Sequence, residues 1–396
     1  MNEAHRNEAE SAVVDAVQEL LPTLAERAQE TEDRRSLLPE SVKALEEAGV
    51  FRLLQPRRYG GLEADPVTFL SVIRSIASAC GSTGWVASVV SVHNWQLALF
   101  PEQAQRDIWG EDPTTRASSS YAPTGKATAV DGGYRLDGRW SFSSGSDHAT
   151  WVLLGGIVTD EDDKPTDFCT FLVPRSDYTI EDVWNTVGLR GTGSNDIVVS
   201  DVFVPAHRAL SFNDTSKCVC PGQEVNAAPL YRLPYGSLFP YAITTPIIGM
   251  ATGAYEAHVS YMQNRVRASY KGVKAAQDPH SQVRIANAAA EIDSAWLALE
   301  NNFRELMRYA GAREKIPMRL RARVRRDQVR GTASAIEAVD RLFENSGGRA
   351  LATGTPIQRF WRDAHSGRVH AINDIERALT MFGQFEFGMP IADAML

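Results

Sequence analysis

Cysteine is scarce: the 396 residues hold Cys80, Cys169, Cys218 and Cys220 and no others. Four are too few for a disulfide scaffold. The single residue between Cys218 and Cys220 does not match zinc-knuckle spacing. No apolar run reaches the ~18 residues of a membrane helix. A basic excess is missing as well. Lys and Arg number 41 against 49 Asp and Glu, a net charge of −8, which argues against a nucleic-acid partner. The opening Met1–Arg6 is polar and lacks the apolar core of a secretory signal. No Gly-x-Gly-x-x-Gly opens a helix after a strand, so no Rossmann nicotinamide site is visible. Gly191-Thr-Gly193 has two glycines only and lies between strand-like runs. A P-loop, a Gly-x-Ser-x-Gly elbow and a His-Glu-x-x-His pair are absent too. These absences predict a reduced, cytoplasmic enzyme that binds no nicotinamide nucleotide of its own.

What is present changes texture twice. Residues 1–110 read as helices. Glu8–Glu30 carries Val13, Val17, Leu20, Leu21 and Leu24 at three-to-four spacing, and Leu37–Ala48 repeats the pattern up to Gly49. Pro66–Ala98 is apolar almost all round and predicts buried helix, broken near Gly81-Ser-Thr-Gly84. From about Arg116 to about Arg208 the chain shows short alternating runs and Gly or Asp turns, the pattern of strands. Residues 212–235 read as a long loop. Ile247–Ser269, Ser281–Gly311, Leu320–Ser346 and Ile375–Phe387 are the expected later helices. The expected class is α+β: an all-α domain over 1–115, a β domain over 116–210 and a helical domain over 211–396. Strands and helices do not alternate, so a doubly wound nucleotide fold is excluded.

Four segments could carry chemistry. Arg139–Trp151 packs four serines, two tryptophans, a Phe and a His into thirteen residues. Hydroxyls beside aromatic faces suit a flat heteroaromatic ligand, although a polar β-turn over packed aromatics explains the same composition. Trp85–Trp95 places His93 deep in an apolar helix. Eight residues separate Trp85 from His93, two turns on roughly one face, so both could line one cavity. A satisfied core histidine is the plainer alternative. Arg359–Asp374 holds His365, His370 and Asp374, but the two histidines are five positions apart, which spreads them around a helix, so no metal is expected. A single acid–base histidine is the alternative there. In Tyr261–Tyr270, Arg265 or Arg267 could meet an anionic cofactor; solvated arginines are the alternative.

In this order, the motifs resemble the acyl-CoA dehydrogenase superfamily across nearly the whole chain. Pro56-Arg-Arg-Tyr-Gly-Gly61, Gly188-Leu-Arg-Gly-Thr-Gly-Ser194, Asp201-Val-Phe-Val-Pro205, Gly347-Gly348 and Arg362-Asp363-Ala364 carry the likeness. The resemblance implies an N-terminal helical domain, a central β-barrel and a C-terminal four-helix bundle, assembled as a homotetramer with flavin at subunit boundaries. Two departures bear on function. The position where many members carry a catalytic Glu falls on Ala371. The stretch Phe142-Ser143-Ser144 replaces the family's Trp-Ile-Thr.

Phe142-x-Ser144-Gly145, Trp85 with His93, and His370 resemble a different branch, the oxygenase components of two-component flavin monooxygenases that hydroxylate 4-hydroxyphenylacetate or secosteroid phenols. That resemblance implies reduced FMN, or reduced FAD, delivered by a separate NAD(P)H:flavin reductase. It implies O2 as co-substrate, a C4a-hydroperoxyflavin, and hydroxylation of a small phenolic or polycyclic aromatic substrate. The implied flavin contacts are Trp85, Ser118, Ser119, Ser120, Phe142, Ser143, Ser144, Arg265, Gly347, Gly348, His370 and Ala371. Ser144 is expected at the flavin N5 edge. His93 and His370 are the candidate bases, because a histidine near pKa 6.5 can draw the proton from a phenol near 10. Alternatives are a flavin-dependent N-oxygenase of an amine such as an amino sugar, an FAD-dependent acyl-CoA dehydrogenase, and a non-catalytic flavin carrier.

Overall fold

A computed structural model describes residues 3–160, 162, 164–266, 274–391, 393, 395 and 396. Six helices come first: α1 Glu3–Glu26, α2 Ala28–Arg34, α3 Pro39–Glu47, α4 Pro66–Ala79, α5 Gly81–Leu97 and α6 Glu102–Trp109. The sequence reading of one helix over Glu8–Glu30 becomes α1 and α2, which meet at Arg27. Helix α4 starts where Asp65 accepts the Val67 amide and Pro66 supplies a pre-set φ. The break expected near residues 81–84 falls at Cys80, whose backbone is extended. Gly84 lies inside α5 because a Cβ there would come within 2.5 Å of Ala77, so only glycine lets α5 lie against α4. All seventeen residues of α5 are buried.

The strands follow: β1 Ala117–Val130, β2 Gly133–Ser143, β3 Trp151–Thr159, β4 Pro165–Pro174, β5 Thr179–Glu181, β6 Asn195–Pro205 and β7 Ala209–Ser211. They form one mixed sheet in the order β5-β6-β2-β1-β3-β4-β7. The barrel that the family resemblance implies is realised as an open sheet, since the end strands β5 and β7 do not pair. Both ends are three residues long, which limits the unpaired edge. Strand β1 pairs antiparallel with β2 but parallel with β3. Leu136, Trp140, Leu154, Phe171 and Ile197 build the core on one face of the sheet.

The remaining helices are α7 Phe212–Lys217, α8 Tyr235–Asn264, α9 Pro279–Ala312, α10 Met318–Ser346, α11 Pro356–Arg368 and α12 Ile375–Glu386. Helix α7 lies in the stretch expected to be loop. Helix α8 begins twelve residues before Ile247 and contains Pro240 and Pro246. Each proline removes a backbone donor. Complete burial from Tyr235 to Ala251 outweighs that loss. Among the described residues no helix is long and apolar enough to cross a membrane.

Candidate active site

The start of β1, the turn after β2, helix α5, the first half of α8 and the turn between α11 and α12 converge. Helix α5 presents two histidine-level and tryptophan-level surfaces about 12 Å apart along its axis, at ~1.5 Å per residue.

At the lower level, strand periodicity meets helix periodicity. Ser119 and Tyr121 share one side of β1, and His93 and Gln96 lie three residues apart on α5. Ser119 Oγ is 2.8 Å from His93 Nε2, and the Tyr121 hydroxyl donates to Gln96 Oε1. His93 Nδ1 lies 2.8 Å from the Ala117 carbonyl oxygen. A carbonyl only accepts, so Nδ1 carries the hydrogen and Nε2 offers its lone pair to Ser119. Ser119 is partly open, while His93 is 1% exposed. Aromatic rings wall this end: Tyr121 meets Phe239 edge-on at 5.2 Å, and Tyr235 stacks on Phe239 at 5.0 Å.

At the upper level, the Trp85 indole N–H donates to Ser144 Oγ at 3.1 Å. Ser144 Oγ is 2.7 Å from Ser194 Oγ, which is 2.6 Å from Thr192 Oγ1. Thr192 donates to the Leu189 carbonyl. One hydrogen per hydroxyl then fixes the direction of the chain. Ser194 donates to Thr192, Ser144 donates to Ser194, and Ser144 keeps one lone pair free as an acceptor. Leu189 is itself tied down, because its amide donates to Asp363 Oδ1 at 2.6 Å. The Arg362-Asp363-Ala364 motif therefore braces Ser144 from α11. Asp363 is buried, and burial raises its carboxyl to about 6.

His370 packs against Trp85 with ring centroids 5.9 Å apart. Its Nδ1 accepts the Ile372 amide at 3.2 Å. Nδ1 therefore has no hydrogen, and the neutral ring carries it on Nε2. The two candidate bases hold opposite tautomers. Burial lowers both from the expected 6.5 to about 4, with His93 buried and His370 half-buried as whole residues. Both rings are neutral at pH 7, and both are weaker bases than a free histidine.

The remaining implied contacts divide in three. Ser118, Ser120 and Ser143 use their hydroxyls inside the sheet: Ser143 donates to Ser118 Oγ, and Ser120 donates to the Ser141 carbonyl. Phe142 is 69% exposed, has φ of +71°, and meets Trp184 edge-on. Ala371 is exposed and carries no titratable group. Arg265, Gly347 and Gly348 form a cluster of their own. Arg265 Nη1 donates to the Asn345 and Ser346 carbonyls at the end of α10, and its guanidinium lies over Tyr261. Its Nε and Nη2 have no partner among the described residues. Gly347 has φ of +69°, and a Cβ there would lie 2.6 Å from that guanidinium. Arg267 lies outside the described residues. Trp85 sits at the level of Ile247 on α8, since a Cβ on Gly367 would touch both. Arg265 follows 18 residues later, roughly 27 Å along the helix axis.

Sequence reasoning missed Tyr121, Gln96, Thr192 and Ser194 as site residues. The signal for Tyr121 was its two-residue offset from Ser119. For Thr192 and Ser194 it was their place within the Gly188–Ser194 motif. His365 bonds the Trp361 carbonyl and Asp340. Among the described residues no three His, Cys, Asp or Glu side chains are placed to share a metal ion.

This combination of helices, sheet and helices around a hydroxyl-lined aromatic site matches two family models. Residues 7–113 match the acyl-CoA dehydrogenase N-terminal domain, and residues 241–375 match the acyl-CoA dehydrogenase C-terminal domain. The chain is 59% identical over 377 residues to the flavin-dependent monooxygenase oxygenase subunit HsaA of Rhodococcus jostii, covering 95% of this chain and 98% of that relative. It is 36% identical to the oxygenase component of the FADH2-dependent resorcinol hydroxylase of a Rhizobium species, covering 91% and 90%. It superposes on the crystal structure of the HsaA monooxygenase from Mycobacterium tuberculosis with a TM-score of 0.94, at 53% identity, covering 98% of this chain and all of that one. The chain belongs to the family of flavin-dependent monooxygenase oxygenase subunits built on the acyl-CoA dehydrogenase fold.

Proposed function

We propose that this chain is the oxygenase component of a two-component flavin monooxygenase that hydroxylates a phenolic aromatic ring, using O2 and reduced FMN or FAD from a separate NAD(P)H:flavin reductase. The observation that carries this reading is the relay from Ser119 through His93 to the Ala117 carbonyl, set beside an aromatic wall. A phenol near pKa 10 becomes nucleophilic on its ring as its proton is drawn off. Ser119, the partly open member, accepts that proton while passing its own to His93 Nε2. The Ala117 carbonyl steadies the imidazolium that forms. Because burial holds His93 near 4, full transfer is uphill at neutral pH, and the relay shifts charge chiefly as the ring attacks. Such positioned acid–base help is typically worth ~10²–10⁴-fold.

The residues at the upper level fit a reduced flavin. Its N5 carries a hydrogen, and the Ser144 oxygen retains an acceptor lone pair braced through Ser194 and Thr192. The exposed Phe142 ring and Trp85 offer aromatic surface. When bound, the flavin would supply two electrons for O2 activation, with one oxygen atom delivered to the ring and the other leaving as water. His370 holds an N–H beside Trp85 and acts as a neutral donor, and Ala371 leaves no carboxylate for α-proton abstraction from a thioester. Arg265, whose Nε and Nη2 have no partner among the described residues, lies beside Gly347 and suits the flavin's phosphate end. The ~27 Å along α8 puts that cluster out of reach of the same flavin. We therefore read the flavin as shared between copies of the chain, consistent with a homotetramer. Turnover with a phenol, reductase-supplied FMNH2 and ¹⁸O2 tests the reading. One ¹⁸O atom should appear on the ring; a product without label, or no product, contradicts it.

A further inference from the structure

Behind His370 lies a buried polar network that the proposed chemistry does not use. Arg325 is 2% exposed in the core of the bundle. Among the described residues it has no ion-pair partner, and its Nε is buried without a hydrogen-bond partner. Its other donors reach one place. Nη2 donates to the Ile372 carbonyl at 3.2 Å, and Nη1 donates to Gln328 Oε1. Gln328 Nε2 donates to Asn373 Oδ1 at 2.8 Å, and Asn373 Nδ2 donates to the Gly367 carbonyl at 3.0 Å. Thr332 also donates to Asn373 Oδ1.

The network thus grips both sides of the turn that carries His370. Gly367 packs on Trp85, the His370 amide donates to the Gly367 carbonyl, and the Ile372 amide donates to His370 Nδ1. Asp393 and Asp374 favour the charge of Arg325 only from beyond ion-pair distance. A buried guanidinium with no ion pair among the described residues is a poor way to stabilise a core, and apolar residues of similar volume serve as well or better. Its directed contacts point to placement of the turn instead.

We propose that Arg325, Gln328 and Asn373 are positioning residues that fix the tautomer of His370. They hold the Ile372 amide on Nδ1 and so keep the hydrogen on Nε2, which has no partner among the described residues. The consequence for turnover rests on the flavin reading above; the tautomer itself does not.

The test uses the whole flavin-free protein labelled with ¹⁵N-histidine, with the tautomer read by solid-state NMR. The His370 signals are assigned by their loss in His370→Gln. Wild type should show one bare Nδ1 and one protonated Nε2. Gln328→Met, Arg325→Met and Asn373→Ala should each give averaged or doubled signals, while melting temperature stays level or rises in Arg325→Met and falls in Gln328→Met, which strips the buried Arg325 Nη1 of its acceptor. Arg325→Lys, which keeps a donor toward Ile372, should restore the wild-type pattern in part. With reductase, O2 and a phenol, the methionine variants should release severalfold more H2O2 per NADH at unchanged reduced-FMN affinity. A single Nε2–H signal preserved in Gln328→Met and Asn373→Ala overturns the proposal, even if Arg325→Met fails to fold. A wild type with the stated tautomer that makes no product contradicts the flavin reading and leaves the tautomer assignment standing.

Discussion

His93 and His370 are both half-hidden in sequence by apolar neighbours, both neutral at pH 7, and both pushed to about 4 by burial. Their surroundings make them opposites. A carbonyl faces Nδ1 of His93 and an amide faces Nδ1 of His370. The first backbone contact leaves a lone pair at Nε2, the second leaves an N–H. On the proposed reading, one residue type would serve as base at one end of α5 and as donor at the other. The tautomer, which composition cannot show, decides which.

The comparison breaks most visibly at His93. His93→Asn should cut hydroxylation by ~10²–10⁴-fold while reduced-FMN binding, measured by anaerobic titration, stays close to wild type. Ser119→Ala should fall in the same direction by less, since water can replace a partly open hydroxyl. His370→Ala should behave differently. Flavin consumption should continue while H2O2 per NADH rises, because a donor is lost and no base is. Equal losses of rate in the His93 and His370 variants, with coupling intact in both, would erase the distinction.

Ser144→Ala sharpens the upper level. Ser144 is half-buried, and losing its hydroxyl removes the acceptor of the Trp85 N–H together with the acceptor proposed for the flavin edge, so peroxide release should rise severalfold with the melting temperature little changed. Coupling equal to wild type would remove Ser144 from the flavin edge.

The smallest effect concerns the brace behind Ser144. The raised carboxyl of Asp363 favours the neutral form in the folded state, so its contribution to stability is complete below about pH 4 and is lost as pH rises through about 6. The buried histidines act in the opposite sense: their stability is present above 6.5 and lost as pH falls toward 4. Asp363→Asn keeps an acceptor for the Leu189 amide and removes only the first term. The melting temperature of the variant, minus that of wild type, should rise by a few degrees between pH 4 and pH 7. A flat difference would mean that Asp363 does not titrate in that range.

Much of the architecture was legible. The apolar circumference of Pro66–Ala98, the alternation after Arg116 and the long helical segments expected after Ile247 foretold helices, sheet and helices. The start of α8 was not, because Pro240 and Pro246 argue locally against a helix that tertiary burial enforces. Trp85, His93, Ser144 and His370 were picked out as candidates, and the structure brings Trp85, Ser144 and His370 together. The direction of each hydrogen bond was hidden, since Ala117 and Ile372 contribute backbone groups that any residue could supply. Arg325 and Gln328 were missed for a related reason: in sequence they look like the polar face of a helix, and only packing turns them inward.

The most direct test uses the acidity of the substrate. A phenol already ionised at neutral pH needs no base. With such a phenol, product formation by His93→Asn should recover toward that of wild type with the same substrate, whereas His370→Ala should keep its peroxide leak. Recovery of both variants, or of neither, would contradict the division of labour between the two histidines.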